Sequence, residues 1–567
     1  MVYFSLRTFI MCMNIFLAPM SRQEEFFMNA YSILLLSSCV FTFVFLMTLD
    51  TFLEKKRRKM GNLSKRIPVR FFVARGFTYL AFMLGTGILV ATIWMRQNFK
   101  ETDLASLFFH MHVQLTSTDI KNIRGLYKCL SLLIPLGSLF LSLLGKLWSY
   151  IFVVGLRPHR IIYNLVRALV IIAYPIISIC VICSYFKVIP YIKQRLDSTS
   201  IYEDYYVDPK TAKVTFPDKK RNLIYIYLES MENSYALPEY GGVSELDLIP
   251  ELTELSVKYE NFGDRGSKIL HGPTPVTQNA WTMASLVGQT CGIPINFGFD
   301  SAMMGEGVDE YLPGAFNLGD MLKREGYDLC YMVGSDARFV AMDVFMRKHG
   351  DYQIRDYYYY RDNHLIPQNY FVWWGLEDYK LLEFAKDYLT EASASDKPFA
   401  LTLMTMDTHF MDGYKCEHCE DKFPKQYDNV IACSSKLVSA FVEWVQQQPF
   451  YENTTIVVIG DHPTMDSRYY NELKYVTDDY VRRNYIAVIN SAVENPCDTA
   501  RLYQVIDMYP TTIAALGAKI EGERLGLGTN LFSTKPTLYE ELGQDYFDTE
   551  IMKNSSFYNK KLAGFDR

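Results

Sequence analysis

The sequence predicts two unlike parts: an N-terminal all-α transmembrane domain of about five helices, and an α/β domain with a doubly wound, mainly parallel sheet. Long apolar runs fill roughly the first third of the 567 residues. After that, short apolar segments rich in β-branched residues alternate with segments of helical character, the pattern of a parallel sheet covered by helices. Several of these segments stop at an acidic residue or a histidine. Ligands bind beyond the carboxyl ends of strands in open α/β sheets, so these endings also predict a site.

Four apolar runs are near or above the roughly 20 residues that span a bilayer. They are 31–53, 71–95, 129–156 and 161–188. A further apolar stretch, Phe4–Met20, is borderline in length. Because no small-x-small cleavage site follows it, we expect a first span rather than a signal peptide.

Basic residues orient the predicted spans. Lys55–Lys59 follows the run at 31–53, and Arg157–Arg160 separates the last two runs. The positive-inside rule makes both loops cytoplasmic, and the two spans between them make the two assignments consistent. Residues from about 189 onward are then outside, so we expect a multi-pass membrane protein with an extracytoplasmic C-terminal domain.

Composition along the chain predicts four segments. They are a transmembrane domain at 1–190, a linker at 191–220, an extracytoplasmic domain at 221–535, and a polar, loosely ordered tail at 536–567. The net charge is −6, and no basic stripe occurs in the later part, which argues against a nucleic-acid partner. The basic residues beside the spans fit anionic lipid head groups instead.

Five strands are predicted from short apolar segments in the later part. The clearest is Thr454–Gly460, whose β-branched residues are typical of a strand buried on both faces of a parallel sheet. The others are Asn222–Leu228, Tyr327–Val333, Lys397–Thr405 and Tyr485–Asn490. Helical character is strongest at 281–290, 318–325, 437–447 and 505–516.

Candidate metal ligands follow three of these strands. Asp461 and His462 come directly after one strand, Glu229 after a second, and His409 shortly after a third. Carboxylates and imidazoles suit manganese, zinc or a related divalent ion. A solvated turn with a capping aspartate explains one Asp–His pair equally well, and a lone histidine is usually structural. The recurrence at one predicted sheet edge is what favours a site.

Two further positions carry phosphate-binding chemistry. Asp336 and Arg338 follow the strand Tyr327–Val333; arginine matches phosphate well, although it equally fits a surface carboxylate. Thr282 lies at the start of the predicted helix 281–290. A hydroxyl there is either an N-cap or a nucleophile, because a helix N-terminus attracts phosphate.

Two carboxylates, a histidine and a hydroxyl would make a four-ligand site for a divalent metal ion. A metal at such a site lowers the pKa of the Thr282 hydroxyl and polarises a phosphoryl oxygen. This combination predicts phosphoryl or sulfuryl transfer through a covalent enzyme intermediate.

Three cysteines lie close together in the later part: Cys416, Cys419 and Cys433. They suit either a disulfide, which an extracytoplasmic location permits, or half of a zinc knuckle. Because no second CxxC pair exists in this later part of the chain, the disulfide is favoured.

Several strings, in order over residues 222–532, carry a resemblance to a known family. They are Tyr227-Leu-Glu-Ser230, Trp281-Thr-Met-Ala284, Cys291-Gly-Ile-Pro294, Gly334-Ser-Asp-Ala-Arg-Phe339, Trp374-Gly-Leu-Glu-Asp378, Asp407-Thr-His409, Gly460-Asp-His462, Asp507-Met-Tyr-Pro-Thr511 and Leu525-Gly-Leu-Gly-Thr-Asn-Leu531. The chain resembles the lipoteichoic acid synthase and membrane-oligosaccharide phosphoglycerol transferase family. These bacterial inner-membrane enzymes have a periplasmic or extracytoplasmic sulfatase-like domain of the alkaline phosphatase superfamily.

The resemblance implies specific roles. The metal ligands would be Glu229, Thr282, Asp461 and His462, with Thr282 as nucleophile; the metal would be Mn2+, with Mg2+ or Zn2+ as alternatives. His409 would contact the substrate phosphate and assist proton transfer. The donor would be phosphatidylglycerol, and the acceptor a glycan or a glycerophosphate polymer.

One departure concerns head-group recognition. The lipoteichoic acid branch has a Trp and an Arg where this chain has Val340 and Met342. The arginine of this segment is Arg338 in this chain. The rival activities are those of a phosphoethanolamine transferase, a sulfatase or a phosphodiesterase. A sulfatase needs a C/S-x-P-x-R string, and Cys291-Gly-Ile-Pro294 is out of frame and lacks the arginine. A catalytically silent relative is the remaining alternative.

Overall fold

The computed structural model describes residues 22–60, 66–98, 117–155, 160–277, 280–296 and 309–564. The chain divides into two compact units, one of residues up to 191 and one of residues from 192 onward. We call the first the helical unit and the second the sheet unit, and describe each by itself.

The helical unit contains four long helices. They are α1 (Arg22–Met60), α2 (Val69–Asn98), α3 (Ser117–Gly155) and α4 (Arg160–Tyr185). Each includes a segment long and apolar enough to cross a membrane, so four predicted spans are confirmed as helices. The predicted span at Phe4–Met20 lies outside the described residues.

Small residues let these helices approach closely. Helix α2 packs against both α3 and α4, and α1 packs against α3. A Cβ atom at Gly85 would lie 2.5 Å from the Tyr174 ring, and one at Gly137 would lie 2.7 Å from Thr86. Glycine at such contacts is typical of packing between membrane helices.

The sheet unit is built on a six-stranded sheet in the order β4-β3-β5-β2-β6-β7. Its strands are β2 (Asn222–Leu228), β3 (Asp328–Val333), β4 (Gln353–Arg355), β5 (Phe399–Met404), β6 (Thr454–Gly460) and β7 (Ile486–Ile489). All neighbours pair in parallel except β6 and β7. The predicted mainly parallel sheet is therefore confirmed, and only the three-residue β4 was missed.

Both faces of the sheet are covered. On β2, Tyr225 and Tyr227 point into one hydrophobic core, whereas Ile224 and Ile226 point into the other. Successive side chains of a strand lie on opposite faces, so a strand buried on both sides has no polar alternation. This is why β2, β5 and β6 are almost continuously apolar.

The remaining elements follow the chain. The helices are α5 (Val188–Leu196), α6 (Ile201–Tyr205), α7 (Pro250–Lys258), α8 (Thr282–Cys291), α9 (Leu318–Arg324), α10 (Met342–Lys348), α11 (Tyr357–Asp362), α12 (Asp378–Ala392), α13 (Gln426–Gln446), α14 (Ser467–Asn471), α15 (Met508–Ala515), α16 (Leu538–Leu542) and α17 (Gln544–Glu550). The short strands are β1 (Val214–Thr215), β8 (Lys519–Ile520), β9 (Arg524–Leu525) and β10 (Gly528–Thr529).

Two sequence expectations need correction. The tail is not loosely ordered, since Leu538, Phe547 and Ile551 are buried in the core; their wide spacing among polar residues hides the pattern. The expected linker is also partly packed: Tyr202 is fully buried, and β1 pairs with β8. The exact limits of the four predicted segments stay predictions.

Candidate active site and metal centre

The centre of the site is set by strand register. Leu228 is the partner of Gly460 in the parallel pair of β2 and β6, so Glu229 and Asp461 follow side by side at the carboxyl edge of the sheet. A Cβ atom at Gly460 would lie 1.8 Å from the Met231 carbonyl oxygen. Glycine is thus required where the chain passes closest to the loop that follows Glu229.

Thr282 is the first residue of α8. The N-cap position is Trp281, and no side chain caps this helix end, so the N-cap alternative for Thr282 is wrong. The Thr282 hydroxyl lies 3.5 Å from Glu229 Oε2 and 3.4 Å from His462 Nε2. The helix therefore brings the hydroxyl to the group at the sheet edge.

The tautomer of His462 follows from its hydrogen bond. Its Nδ1 lies 2.9 Å from the Pro463 carbonyl oxygen, which can only accept, so Nδ1 carries the proton. Nε2 then presents a lone pair toward Thr282, 3.3 Å from Asp461 Oδ2 and 3.7 Å from Glu229 Oε1. A histidine fixed in this way by a backbone carbonyl is a typical metal ligand.

Asp461 has one satisfied oxygen and one unsatisfied oxygen. Its Oδ1 accepts from the backbone N–H of Ser230 at 2.8 Å and from that of His462 at 2.7 Å. Its Oδ2 is fully buried and has no hydrogen-bond partner. A buried carboxylate oxygen without a partner is costly, and it points toward the other ligand atoms.

Glu229, Asp461 and His462 offer ligand atoms that all lie within 4.8 Å of one another. All three side chains are buried. Burial and then the charge of Glu229 raise the pKa of Asp461 to about 7. Burial alone would lower the pKa of His462, but the two carboxylates outweigh it and raise that pKa. The residues present therefore fit a divalent cation, which would relieve this unbalanced negative charge.

The loop after His462 is braced by an ion pair that sequence reasoning missed. Arg482 Nε lies 2.8 Å from Glu232 Oε2, and Glu232 Oε1 accepts from the Thr464 backbone at 3.0 Å. Asn484 also donates to the Asp461 carbonyl at 2.7 Å. No local pattern signals this role of Glu232, because its pairing partner lies 250 positions away in the chain.

His409 lies at the same edge of the sheet. It follows β5, whose neighbour is β2, and Thr408 Oγ1 donates to the Glu229 carbonyl at 2.6 Å. His409 Nδ1 donates to the Phe410 carbonyl at 2.7 Å, which leaves the lone pair on Nε2. The ring packs on Trp374, with 4.6 Å between centroids. The sheet thus holds the His409 loop next to the loop of Glu229.

A second pair of buried carboxylates supports this loop and was not predicted. Asp378 accepts from the backbone N–H of Met406 at 2.7 Å and of Asp407 at 2.9 Å. Asp407 in turn accepts from the Asp378 N–H at 3.2 Å. Burial raises the pKa of Asp378 to about 7 and that of Asp407 well above its ordinary value. In the sequence, Asp378 and Asp407 stood out only as members of the quoted family strings Trp374-Gly-Leu-Glu-Asp378 and Asp407-Thr-His409.

Asp336 and Arg338 contact each other. Arg338 Nη2 lies 2.7 Å from Asp336 Oδ2, and the guanidinium stacks on Tyr358 at 4.6 Å. The Arg338 side chain is more than half exposed. A substrate phosphate would therefore compete with a carboxylate for this guanidinium, and the role of both residues in substrate binding stays a prediction.

The cysteine cluster forms a disulfide between Cys419 and Cys433, which confirms the favoured alternative. Cys416 keeps a free thiol, whose sulfur lies 3.5 Å from that of Cys419.

Residues 277–518 match the sulfatase family model. Phosphoglycerol transferase I of Escherichia coli strain 55989 is 29% identical over 387 residues, which cover 66% of this chain and 47% of that protein. The matched region thus spans about half the length of this curated relative.

Two solved structures are similar to this chain at low identity. The lipoteichoic acid synthase LtaP of Listeria monocytogenes is 17% identical, with a TM-score of 0.44 over 57% of this chain and 79% of that chain. The phosphoethanolamine transferase EptA of Neisseria meningitidis is 12% identical, with a TM-score of 0.46 over 86% of this chain and 96% of that chain. Because both TM-scores are below 0.5, nothing further is inferred from them. Residues 277–518 of the sheet unit thus match the sulfatase family model, and the chain is related in sequence to phosphoglycerol transferases.

Proposed function

We propose that this chain is a membrane-anchored phosphoglycerol transferase. It moves glycerophosphate from phosphatidylglycerol to an extracytoplasmic glycan or polyglycerophosphate acceptor through a covalent phosphothreonine-type intermediate. The observation that carries the proposal is the Thr282 hydroxyl, held 3.5 Å from Glu229 Oε2 and 3.4 Å from His462 Nε2. A helix start, a hydroxyl and a cation-binding cluster meet at one sheet edge.

Glu229, Asp461, His462 and the Thr282 oxygen would hold a divalent metal ion, with Mn2+ as the first candidate and Mg2+ or Zn2+ as alternatives. Such an ion lowers the pKa of a nearby hydroxyl and stabilises charge on a phosphoryl group. The N-terminus of α8 adds its backbone N–H groups, which favour a phosphate at the same place.

Two displacements make up the reaction. In the first, the Thr282 oxygen forms a bond to phosphorus as the bond to the diacylglycerol oxygen breaks. The Thr282 hydroxyl proton is taken up by the lone pair of His409 Nε2 and passed to that leaving oxygen. In the second, an acceptor hydroxyl attacks the phosphorus and passes its proton to His409 Nε2. The bond from phosphorus to the Thr282 oxygen then breaks, and His409 returns the proton to that oxygen, which regenerates the threonine. The membrane helices keep the domain at the lipid surface, which raises the effective concentration of donor.

The test is release of diacylglycerol from phosphatidylglycerol labelled in its glycerol head group, using the purified full chain supplied with Mn2+. Wild type should release diacylglycerol and, after acid quenching, retain label on Thr282. Thr282→Ala should do neither, whereas Thr282→Ser should keep partial activity. Thr290→Ala is the matched control, because it removes a hydroxyl from the other end of the same helix, where it bonds only within the helix.

Equal release by wild type and Thr282→Ala would overturn the proposal. A chain that cleaves phosphatidylethanolamine in preference to phosphatidylglycerol would instead be a phosphoethanolamine transferase. A chain that binds no metal and releases nothing from either lipid would be the silent relative.

A further inference from the structure

A second charged centre lies within the helical unit. A cavity of about 500 Å3 opens among helices α2, α3 and α4 and is lined by three cationic side chains, Arg75, Lys146 and Arg167. Tyr79, Trp148 and Tyr174 also line it, and most of the remaining lining is aliphatic. We call it the basic cavity. Its size is in the ordinary range for sites that bind small molecules.

The charges around the basic cavity do not balance. Asp50 is 4% exposed and lies 2.7 Å from Lys146 Nζ and 3.2 Å from Arg75 Nε. The Tyr79 hydroxyl also donates to it. No acidic residue is among the lining residues. Two cations thus share one carboxylate, and a third cation lines the same cavity, within helices apolar enough to span a membrane. Clustered charge there is costly and marks a candidate ligand site.

All four charged residues lie toward the same end of the helix bundle. Asp50 is ten residues before the end of α1, and Lys146 is nine before the end of α3. Arg75 is six residues after the start of α2, and Arg167 is seven after the start of α4. At 1.5 Å per residue these positions are about 9–15 Å inside the helix ends. That depth suits the boundary between head groups and acyl chains, on the side predicted to be cytoplasmic.

We propose that the basic cavity binds the phosphate of an anionic phospholipid, with an acyl chain lying along its aliphatic lining. Guanidinium and ammonium groups donate charge-assisted hydrogen bonds to a phosphodiester, and basic pockets between membrane helices favour anionic head groups. The apolar lining favours a lipid over free phosphate as the ligand. Free phosphate would contact only the cationic side chains and would leave most of the cavity surface without a partner. The site goes beyond the proposed function, since it uses none of the residues near Thr282.

The test counts lipid molecules retained by the purified full chain in detergent, by native mass spectrometry, after divalent ions are removed so that no turnover occurs. Phosphatidylglycerol is titrated against phosphatidylcholine with the same acyl chains, and sodium phosphate is added as a competitor. Wild type should retain phosphatidylglycerol in preference to phosphatidylcholine. The double variant Arg75→Gln/Arg167→Gln should weaken that retention by about 30-fold.

Two further variants guard against misfolding and general charge effects. Lys55→Gln/Arg70→Gln removes the same charge from exposed positions of the helical unit outside the cavity lining, and should leave retention unchanged. Gly145→Phe keeps every charge and fills the cavity, because a Cβ atom at Gly145 meets nothing within 4 Å. It should remove the lipid that the cavity holds.

Three results would overturn the proposal. One is equal retention of both lipids by wild type, and another is unchanged retention by both cavity variants. The third is displacement of the lipid by millimolar phosphate, which would identify a simple anion site. Lipid held by the sheet unit would persist in both cavity variants, so failure of this proposal is distinguishable from failure of the proposed enzyme activity.

Discussion

The two units each bury a cluster of unbalanced charge, and the two clusters have opposite signs. At the edge of the sheet, the carboxylates of Glu229 and Asp461 lie together beside the imidazole of His462. In the helical unit, Arg75 and Lys146 share the carboxylate of Asp50, and Arg167 lines the same cavity. Buried charge is stable only when it is paired, so each imbalance gives the sign of the ligand that would complete it: a cation in the sheet unit, an anion in the helical unit.

The two clusters also differ in how they are built. Glu229 and Asp461 are brought together by backbone pairing of β2 with β6, which leaves little freedom. The basic cavity depends on one cationic side chain from each of three helices, and long Lys and Arg side chains can adjust their reach. The sheet cluster is therefore suited to fixing an ion against a nucleophile, and the helix cluster to holding a flexible ligand.

The largest expected effect is loss of the sheet cluster. Asp461→Asn should lower diacylglycerol release by about 10^3-fold, because it removes charge that a cation and the transferring phosphate both depend on. Metal content measured by plasma mass spectrometry should fall in parallel. The Arg75→Gln/Arg167→Gln variant should keep its bound metal. Loss of metal from this variant would contradict the view that the two clusters are separate ligand sites.

The next effect is a pH dependence of stability that the buried acids of the sheet unit predict. The pKa values of Asp461 and Asp378 are raised to about 7, against about 3.9 in an unfolded chain. Between these values the folded state holds protons that the unfolded state has lost, so stability falls as the pH rises. The raised pKa of His462 acts in the same direction.

The metal-stripped full chain should therefore melt at a higher temperature at pH 5.5 than at pH 7.5. Added Mn2+ should restore the midpoint at pH 7.5, where Asp461 is ionised, and have less effect at pH 5.5. Differential scanning fluorimetry measures both. A melting temperature that rises between the two pH values without metal would contradict the burial of these acids.

Asp50→Asn tests how the charge of the helical unit compares with that of the sheet cluster. Removing the one carboxylate should destabilise this unit by about 2–3 kcal/mol, toward the low end for a broken buried pair because its partners are partly exposed. The same variant should retain phosphatidylglycerol more strongly, since the excess of positive charge grows. Thermal unfolding and lipid retention are both measured on the same protein preparation. Weaker lipid retention would indicate that Asp50 orients the cations rather than competing for them.

The smallest expected effect concerns the exposed Arg338. Arg338→Gln should change stability by less than about 1 kcal/mol, as for other exposed ion pairs. If the guanidinium binds the donor phosphate, the KM for phosphatidylglycerol should rise about tenfold. Arg361→Gln is a matched control, because Arg361 also pairs with a neighbouring aspartate and stacks on Tyr358. Equal KM values for the two variants would remove Arg338 from the substrate site.

Local patterns were sufficient for most of the secondary structure. Five strands and the helix that starts at Thr282 were predicted, since a continuous apolar run is itself the mark of a strand buried on both faces. Helix α13 begins at Gln426 rather than 437, because buried polar residues such as Asn429, Ser434 and Ser435 hide its apolar stripe. The tail was misjudged for a similar reason.

The sequence alone determined the four described spans, the strands, and the residue types at the strand ends, because each depends on neighbours within a few positions. Tertiary structure alone decided that β2 lies between β5 and β6, and hence that Glu229 meets Asp461 and the loop of His409. It also decided that Asp50 meets Lys146, which is 96 residues away. Pairing over such distances depends on register and helix packing, which no local pattern encodes.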